Sequence, residues 1–245
     1  KAMAVASNKP FYPINHLEGH ALSVQINDKV SFPFLLLLIS GGHTQFYLVN
    51  NVGSYKLLGS TIDDSVGECF DKVAKMINMP YPGGKYIESK SKNGNKNKFN
   101  FPKPLLKKNN LDFSFSGLKT AVKLEVNKSK KINNKFKEDL SASFQETVTN
   151  ILTIKMKFAI QHCKRNYPKV KNVVVAGGVA ANNSIRLSLK ELCEENKLNI
   201  YYPPVSLCGD NAAMIGWACL QRFKIGYKGN INFRPRPRWS LNELI

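Results

Sequence analysis

His16 and His20 stand four residues apart in the segment Asn15-His16-Leu17-Glu18-Gly19-His20. On a helix that spacing stacks both imidazoles on one face, where two ring nitrogens can grip a single metal ion. A carboxylate in an unusual setting, Asp210 in Cys208-Gly209-Asp210-Asn211-Ala212-Ala213, supplies a candidate third ligand. Two imidazoles and one carboxylate leave coordination positions open for a substrate, the pattern of a reactive rather than a structural site. Two solvated helix histidines are the plainer reading of such a pair; Asp210 shifts the balance toward a metal.

Two further places share a plan of apolar strand followed by double glycine: Phe34 to Ile39 before Ser40-Gly41-Gly42, and Val173 to Ala176 before Gly177-Gly178. Glycine lets a phosphate approach backbone N–H donors that a side chain would screen. The second loop leads into a helical stretch, whose first N–H groups favour an anion. Neither loop fits the Walker or dinucleotide fingerprints. The acidic stretch Asp63 to Lys72 adds Asp71, which lies well inside a predicted helix and on the same face as Gly67; a carboxylate beside a small residue can bind a ribose diol. Asp63 and Asp64 are explained by the helix dipole alone.

These residues need a framework. The spacing predicts helices over 1–5, from His16 to about Val24, over 66–77, 117–126, 136–163 and 181–195, and from Asp210 to about Phe223. It predicts strands over 34–39, 45–49, 55–60, 173–176 and 200–202, the first two as a hairpin across the double glycine. Tyr81-Pro82-Gly83-Gly84 reads as a turn, and the Lys-, Asn- and Pro-rich residues 89–104 as a surface loop. The pattern is α/β.

The formal net charge of +19 over 245 residues is extreme for a globular enzyme and favours a polyanionic partner. Fifteen lysines lie between Lys85 and Lys137 against Glu88, Asp112 and Glu125, and Arg234, Arg236 and Arg238 cluster beside Trp239 near the end. An AT-rich coding bias gives the same lysine and asparagine excess, so charge alone assigns nothing. Five cysteines without a CxxC pair suit free thiols in a reducing compartment. The apolar run 34–39 is far too short to span a bilayer. A soluble protein of the cytoplasm is expected, and the opening Lys1 suggests a fragment of a longer chain.

Taken together and in order, six segments resemble the tRNA adenosine threonylcarbamoyltransferases, a family formerly called O-sialoglycoprotein endopeptidases. They are Asn15 to His20, Leu38 to Gln45, Asp63 to Lys72 with Gly83-Gly84, Phe113 to Thr120, Ala176 to Asn182, and Cys208 to Ile215; the tail Arg236-Pro237-Arg238-Trp239 has the look of a bacterial or organellar member. The resemblance implies the two-lobed fold of actin, Hsp70 ATPases and sugar kinases, with the first lobe truncated at its N-terminus. On that fold, residues 1–60 are the remainder of the first lobe. Residues 61–245 are the second, with a helical insert around 85–165 and the C-terminal helix packing back on the first. It also implies that His16, His20 and Asp210 hold one divalent metal ion, iron first and zinc second. Leu38, Ile39, Ser40, Gly41, Gly42, Asp71, Gly84 and Asn182, with Glu88 assisting, would hold the adenylate. Where archaeal and eukaryotic members offer a tyrosine to the metal, this sequence has Leu38.

The reaction so implied moves a threonylcarbamoyl group from threonylcarbamoyl-adenylate to the exocyclic amine of the adenosine beside the anticodon, in tRNAs reading codons that begin with A. The implied partners are tRNA, a dimerising paralogue, an ATPase subunit and an adenylate-forming enzyme, with no membrane, in bacterial cytoplasm or an organellar matrix. Three other readings compete. A metallopeptidase needs a glutamate poised as general base, whereas Glu18 points off the histidine face. A non-catalytic nucleotide- and tRNA-binding subunit would not need the three metal ligands, and neither would a kinase of the same fold. His43, His162, Phe113, Phe115, Ser114 and Ser116 read as structural.

Overall fold

A computed structural model of the chain describes residues 1–106 and 110–244. Its centre is a five-stranded sheet in the order β3-β2-β1-β4-β5. The strands are β1 (Phe34–Ile39), β2 (Thr44–Asn51), β3 (Ser54–Ser60), β4 (Asn172–Ala176) and β5 (Asn199–Tyr201). β1 is a continuous apolar run, Phe-Leu-Leu-Leu-Leu-Ile, with every residue buried. That is the signature of a strand covered on both faces. It pairs antiparallel with β2, as the predicted hairpin requires, and parallel with β4, in the register Leu36↔Val174 and Leu38↔Ala176.

Alternation splits the core between the two faces. Leu35, Leu37, Ile39, Val173 and Val175 face the larger cluster, whereas Phe34, Leu36, Leu38, Val174 and Ala176 face the smaller one. The larger cluster is roofed by helices α3 (Val66–Met76), α5 (Ser116–Lys128), α6 (Asn134–Asn166) and α7 (Asn183–Glu195). In α6, Leu140, Phe144, Val148, Ile151, Met156 and Cys163 recur at helical spacing on the buried side. The smaller cluster lies under α2 (His16–Leu22) and receives Leu241 from the C-terminal tail. The remaining helices are α1 (Ala2–Ala6), α4 (Gly84–Ser91), α8 (Val205–Cys208) and α9 (Ala212–Lys224), the last packed across α2.

One expectation needs correcting. Residues 84–91 form α4, so the turn at Tyr81 to Gly84 opens a helix and the predicted loop begins only after Ser91. The sheet is continuous across residue 60, because β1 joins the hairpin strands before it to β4 and β5 after it. Among the described residues no helix is long and apolar enough to cross a membrane.

Candidate metal centre and glycine-loop cavity

α2 starts at His16 because Asn15 caps it: the Asn15 side-chain oxygen accepts from the N–H groups of Leu17 and Glu18. The other end of the same amide donates to the Trp239 carbonyl at 2.7 Å, tying the cap to the tail. α9 is capped in the same way by Asn211, whose oxygen accepts from Met214 N–H. Asp210 is thus presented just ahead of a fixed helix start. Gly19 lets the two helices meet, since a Cβ there would stand 2.9 Å from Ile215 Cδ1.

The three predicted ligands converge. His16 Nε2 and His20 Nε2 lie 3.2 and 3.1 Å from Asp210 Oδ1. All three ligand atoms fall within 4.8 Å of one another. Adjacent ligands about 2.0–2.1 Å from a tetrahedral ion stand roughly 3.3 Å apart, so the two histidine–Asp210 separations match that spacing, and the donor set fits a metal in its chemistry. His20 is buried and its pKa is lowered, chiefly by desolvation and then by His16, which outweigh the opposing pull of Asp210. The neutral ring that results is the form a metal takes. His16 and Asp210 are open to solvent, which leaves the far side of the cluster accessible.

A cavity of about 810 Å³ opens beside the cluster, lined by His16, His43, Gln45, Tyr47, Tyr12 and Trp239 among others. His43, read from the sequence as structural, therefore stands at the wall of this cavity. Burial and then His16 lower its pKa. Glu18 does not face the cavity: it is buried against Arg222, Nε to Oε2 2.8 Å, and accepts from Tyr55 and Gly53. A glutamate so engaged is no general base for a peptidase.

The parallel β1–β4 pairing sets the two glycine loops side by side at the carboxyl ends of neighbouring strands, where open α/β sheets bind ligands. Gly177, at φ +96°, brings its Cα so near the Ile39 carbonyl that a Cβ would stand 2.4 Å from it. Ser65 caps α3 and donates to the Gly41 carbonyl at 2.5 Å, while Thr44 Oγ1 accepts from Val66 N–H. α3 is thereby bolted to the first loop, and Asp71 on it comes to a cavity of about 330 Å³.

Of the predicted adenylate residues, Gly41, Asp71, Gly84 and Asn182 line this cavity, together with Glu88. Leu38 and Ile39 are wholly buried in opposite core clusters, so only their backbone is offered to the loop. Ser40 and Gly42 belong to the loop but are not in the cavity wall; Ser40 Oγ accepts from His43 N–H. Asn182 caps α7 and donates to Gln145, and Glu88 accepts from Asn183 N–H, so both also hold the second loop in place. Sequence reasoning missed Tyr81, Lys85 and Val179 in the wall. Their signal was present in the turn at 81–84 and the double glycine at 177–178, but not their convergence.

Gly67 carries a prediction. A Cβ at this position would meet the Ser40 carbonyl oxygen at 2.5 Å and Gly41 Cα at 2.8 Å, both backbone. Gly67→Ala should push α3 off the first loop and destabilise the chain by about 1–3 kcal/mol, visible as a lowered Tm in calorimetry. An unchanged Tm would mean that the loop yields freely.

The basic run is only partly free. Lys96 pairs with Glu146, Lys119 with Asp64, Lys128 with Glu125 and Lys135 with Asp139. Lys85, Lys92, Lys103, Lys123, Lys130 and Lys131 are exposed. Lys107 and Lys108 lie outside the described residues. In the tail, Arg236 pairs with Glu243 at 3.5 Å and its guanidinium stands 5.9 Å from the Trp239 ring centre.

Comparison with known proteins follows the same lines. A family model described as tRNA N6-adenosine threonylcarbamoyltransferase matches residues 1–217. A relative bearing that name from Rhizobium etli (strain CIAT 652) is 47% identical over 246 residues, covering 99% of this chain and 67% of the relative. Another, from Pelagibacter ubique (strain HTCC1062), is 50% identical over 243 residues, covering 99% of this chain and 68% of its own length. Among solved structures, full-length HypF in its phosphate- and nucleotide-bound form superimposes with a TM-score of 0.66 at 14% identity, over 92% of this chain and 38% of HypF. At that identity the likeness speaks to the fold, which is of the expected actin and sugar-kinase type.

Proposed function

Since this chain belongs to the family of tRNA N6-adenosine threonylcarbamoyltransferases, we propose that its two cavities are the two halves of one transfer site. The activity is the family's: a threonylcarbamoyl group is placed on the exocyclic amine of an adenosine in tRNA. The donor on this reading is threonylcarbamoyl-adenylate, and the acceptor is the adenosine beside the anticodon in tRNAs reading codons that begin with A. The observation that carries it is the convergence of His16, His20 and Asp210 within bonding reach of one ion, close to a loop that also walls a nucleotide-sized cavity. Ser40 to His43 form that loop, with Gly41 in one cavity wall and His43 in the other.

The chemistry is acyl transfer to nitrogen. The adenosine amine attacks the carbamoyl carbon, a C–N bond forms, the bond from that carbon to the phosphate oxygen breaks, AMP leaves, and the amine sheds a proton to solvent. Negative charge builds on the carbamoyl oxygen as attack proceeds. A divalent metal held by His16, His20 and Asp210 would supply Lewis acidity to that oxygen or grip the threonine moiety; two histidines and one carboxylate with open positions suit iron first and zinc second. The chain's own part is positioning. Backbone N–H groups of the two glycine loops face the phosphate, Asp71 faces the ribose diol, and holding both reactants removes much of the entropic barrier.

The exposed lysines of the 85–137 run and the arginine tail receive the tRNA backbone. Reversing Lys123, Lys130 and Lys131 to glutamate should weaken tRNA binding across sequences and flatten log Kd against log salt by about 0.7–0.9 per lost phosphate contact. Unchanged affinity and slope would remove this face from the interface. The accessory proteins are a dimerising paralogue, an ATPase subunit and an adenylate-forming enzyme, and the compartment is bacterial cytoplasm or an organellar matrix.

The direct test supplies threonylcarbamoyl-adenylate, unmodified tRNA and those accessory proteins, then reads the tRNA nucleosides by mass spectrometry. Modified adenosine made with wild-type chain and absent with Asp210→Ala establishes the activity and the site together. A folded, metal-loaded wild type that leaves tRNA unmodified would instead make the chain a binding subunit.

A further inference from the structure

The helix that carries the two histidines also carries a buried carboxylate between them. Position i+2 lies about 200° around a helix from position i, so Glu18 leaves α2 on the side away from His16 and His20. It is 1% exposed, and Arg222, in the last turn of α9, is 3% exposed. Arg222 Nε donates to Glu18 Oε2 at 2.8 Å. Glu18 Oε1 accepts from Tyr55 OH at 2.8 Å and from Gly53 N–H at 3.1 Å. Gly53 sits at φ +77°, and a Cβ there would come within 2.7 Å of Arg222 Nη1, so the β2–β3 turn closes directly over the pair.

Three elements thus meet at one carboxylate: α2, the end of α9, and the hairpin turn. Asp210 hangs from the opposite end of α9, and the near end of that helix touches α2 at Gly19. A rigid helix held at both ends has its register fixed. The three metal-ligating side chains are on two separate elements, and two of them, His16 and Asp210, are exposed with little packing of their own to hold them.

We propose that Glu18 and Arg222 are positioning residues of the metal centre: their buried pair, seated on Tyr55 and Gly53, sets the α2–α9 register that brings Asp210 to His16 and His20. This rests on the reading of those three residues as metal ligands. A pair serving only stability would leave metal affinity alone, because the ligands are not among its contacts. A positioning pair moves affinity and coordination geometry, as supporting groups around metal ligands commonly do by 10–100-fold.

The test uses the whole chain in wild-type, Glu18→Gln, Tyr55→Phe and Asp210→Ala forms. Each is titrated with Zn²⁺ against a competing chelator, its Co²⁺ absorption spectrum is recorded, and its unfolding is followed in EDTA. Glu18→Gln should bind Zn²⁺ at least about tenfold more weakly than wild type, with an altered Co²⁺ spectrum in a chain still folded. Tyr55→Phe, which leaves the ion pair in place, should lose a few-fold and decides the matter if Glu18→Gln does not fold. Wild-type affinity and spectrum in the folded variants, whatever their Tm, would overturn the proposal. Should Asp210→Ala bind Zn²⁺ as tightly as wild type, the metal reading itself fails, and the two failures are told apart by that arm.

Discussion

On the proposed reading of His16, His20 and Asp210 as metal ligands, replacing Asp210 by alanine should strip the centre of its metal and the chain of its transfer activity, with little loss of fold. The carboxylate is 77% exposed and its contacts are to the two histidines, so the buried group that loses a partner is His20 alone of the two. Metal affinity should fall by more than the 10–100-fold typical of a supporting group, because a direct ligand is gone. Transfer should drop by about 10²–10³-fold, the loss seen when one stabiliser of a developing oxyanion is removed. Asp210→Asn keeps a neutral oxygen and should fall between the two. Metal content by mass spectrometry and single-turnover transfer check this. Full activity in a metal-depleted Asp210→Ala chain would show that the cluster is no metal centre. Acid should act in the same direction. His20 has a pKa below its ordinary 6.5 in the folded chain, so the unfolded chain takes up a proton first as pH falls. The metal-free chain therefore loses stability as pH drops through about 6.5 toward the lower folded value, and keeps it above.

The cluster of His16, His20 and Asp210 was legible because each of its residues announces itself locally. An i, i+4 histidine pair needs only a helix, and Asn15 and Asn211 are cap residues in the right places to start both helices. The core strand was equally plain in Phe34 to Ile39. What could not be read was adjacency across long stretches of chain. Nothing in residues 34–42 says that β4, well over a hundred residues later, lies beside β1; yet that pairing sets the two glycine loops together and builds the glycine-loop cavity. Helix α4 was hidden by composition: its Lys- and Ser-rich sequence buries only Ile87, too little periodicity to register. Glu18 was correctly read as off the histidine face, but its partner Arg222 is 204 residues away. Local chemistry is written in spacing, whereas register between distant elements is decided by packing that no short window contains.

Asp71 offers the second large effect, because there a fold role and a ligand role share one carboxylate and can be pulled apart. Its Oδ1 accepts from Gly83 N–H at 2.6 Å, which holds the turn leading into α4 and so sets Gly84 in the cavity wall. The cavity lies against the same carboxylate, and a ribose diol donating to it would make charge-assisted bonds worth about 1.5–3 kcal/mol. Asp71→Ala removes both functions. It should lower Tm through the orphaned Gly83 N–H and weaken binding of threonylcarbamoyl-adenylate by about 10–10²-fold, with KM for the donor rising more than kcat falls. Asp71→Asn retains an oxygen for Gly83 and should restore most of the Tm, while the donor affinity stays low for want of the charge. The split between the two variants is what identifies a ribose contact. If Asp71→Asn recovers affinity along with Tm, the residue only shapes the turn, and the adenylate must be held by the glycine-loop backbone and the walls at Gly84 and Asn182 without a carboxylate clamp.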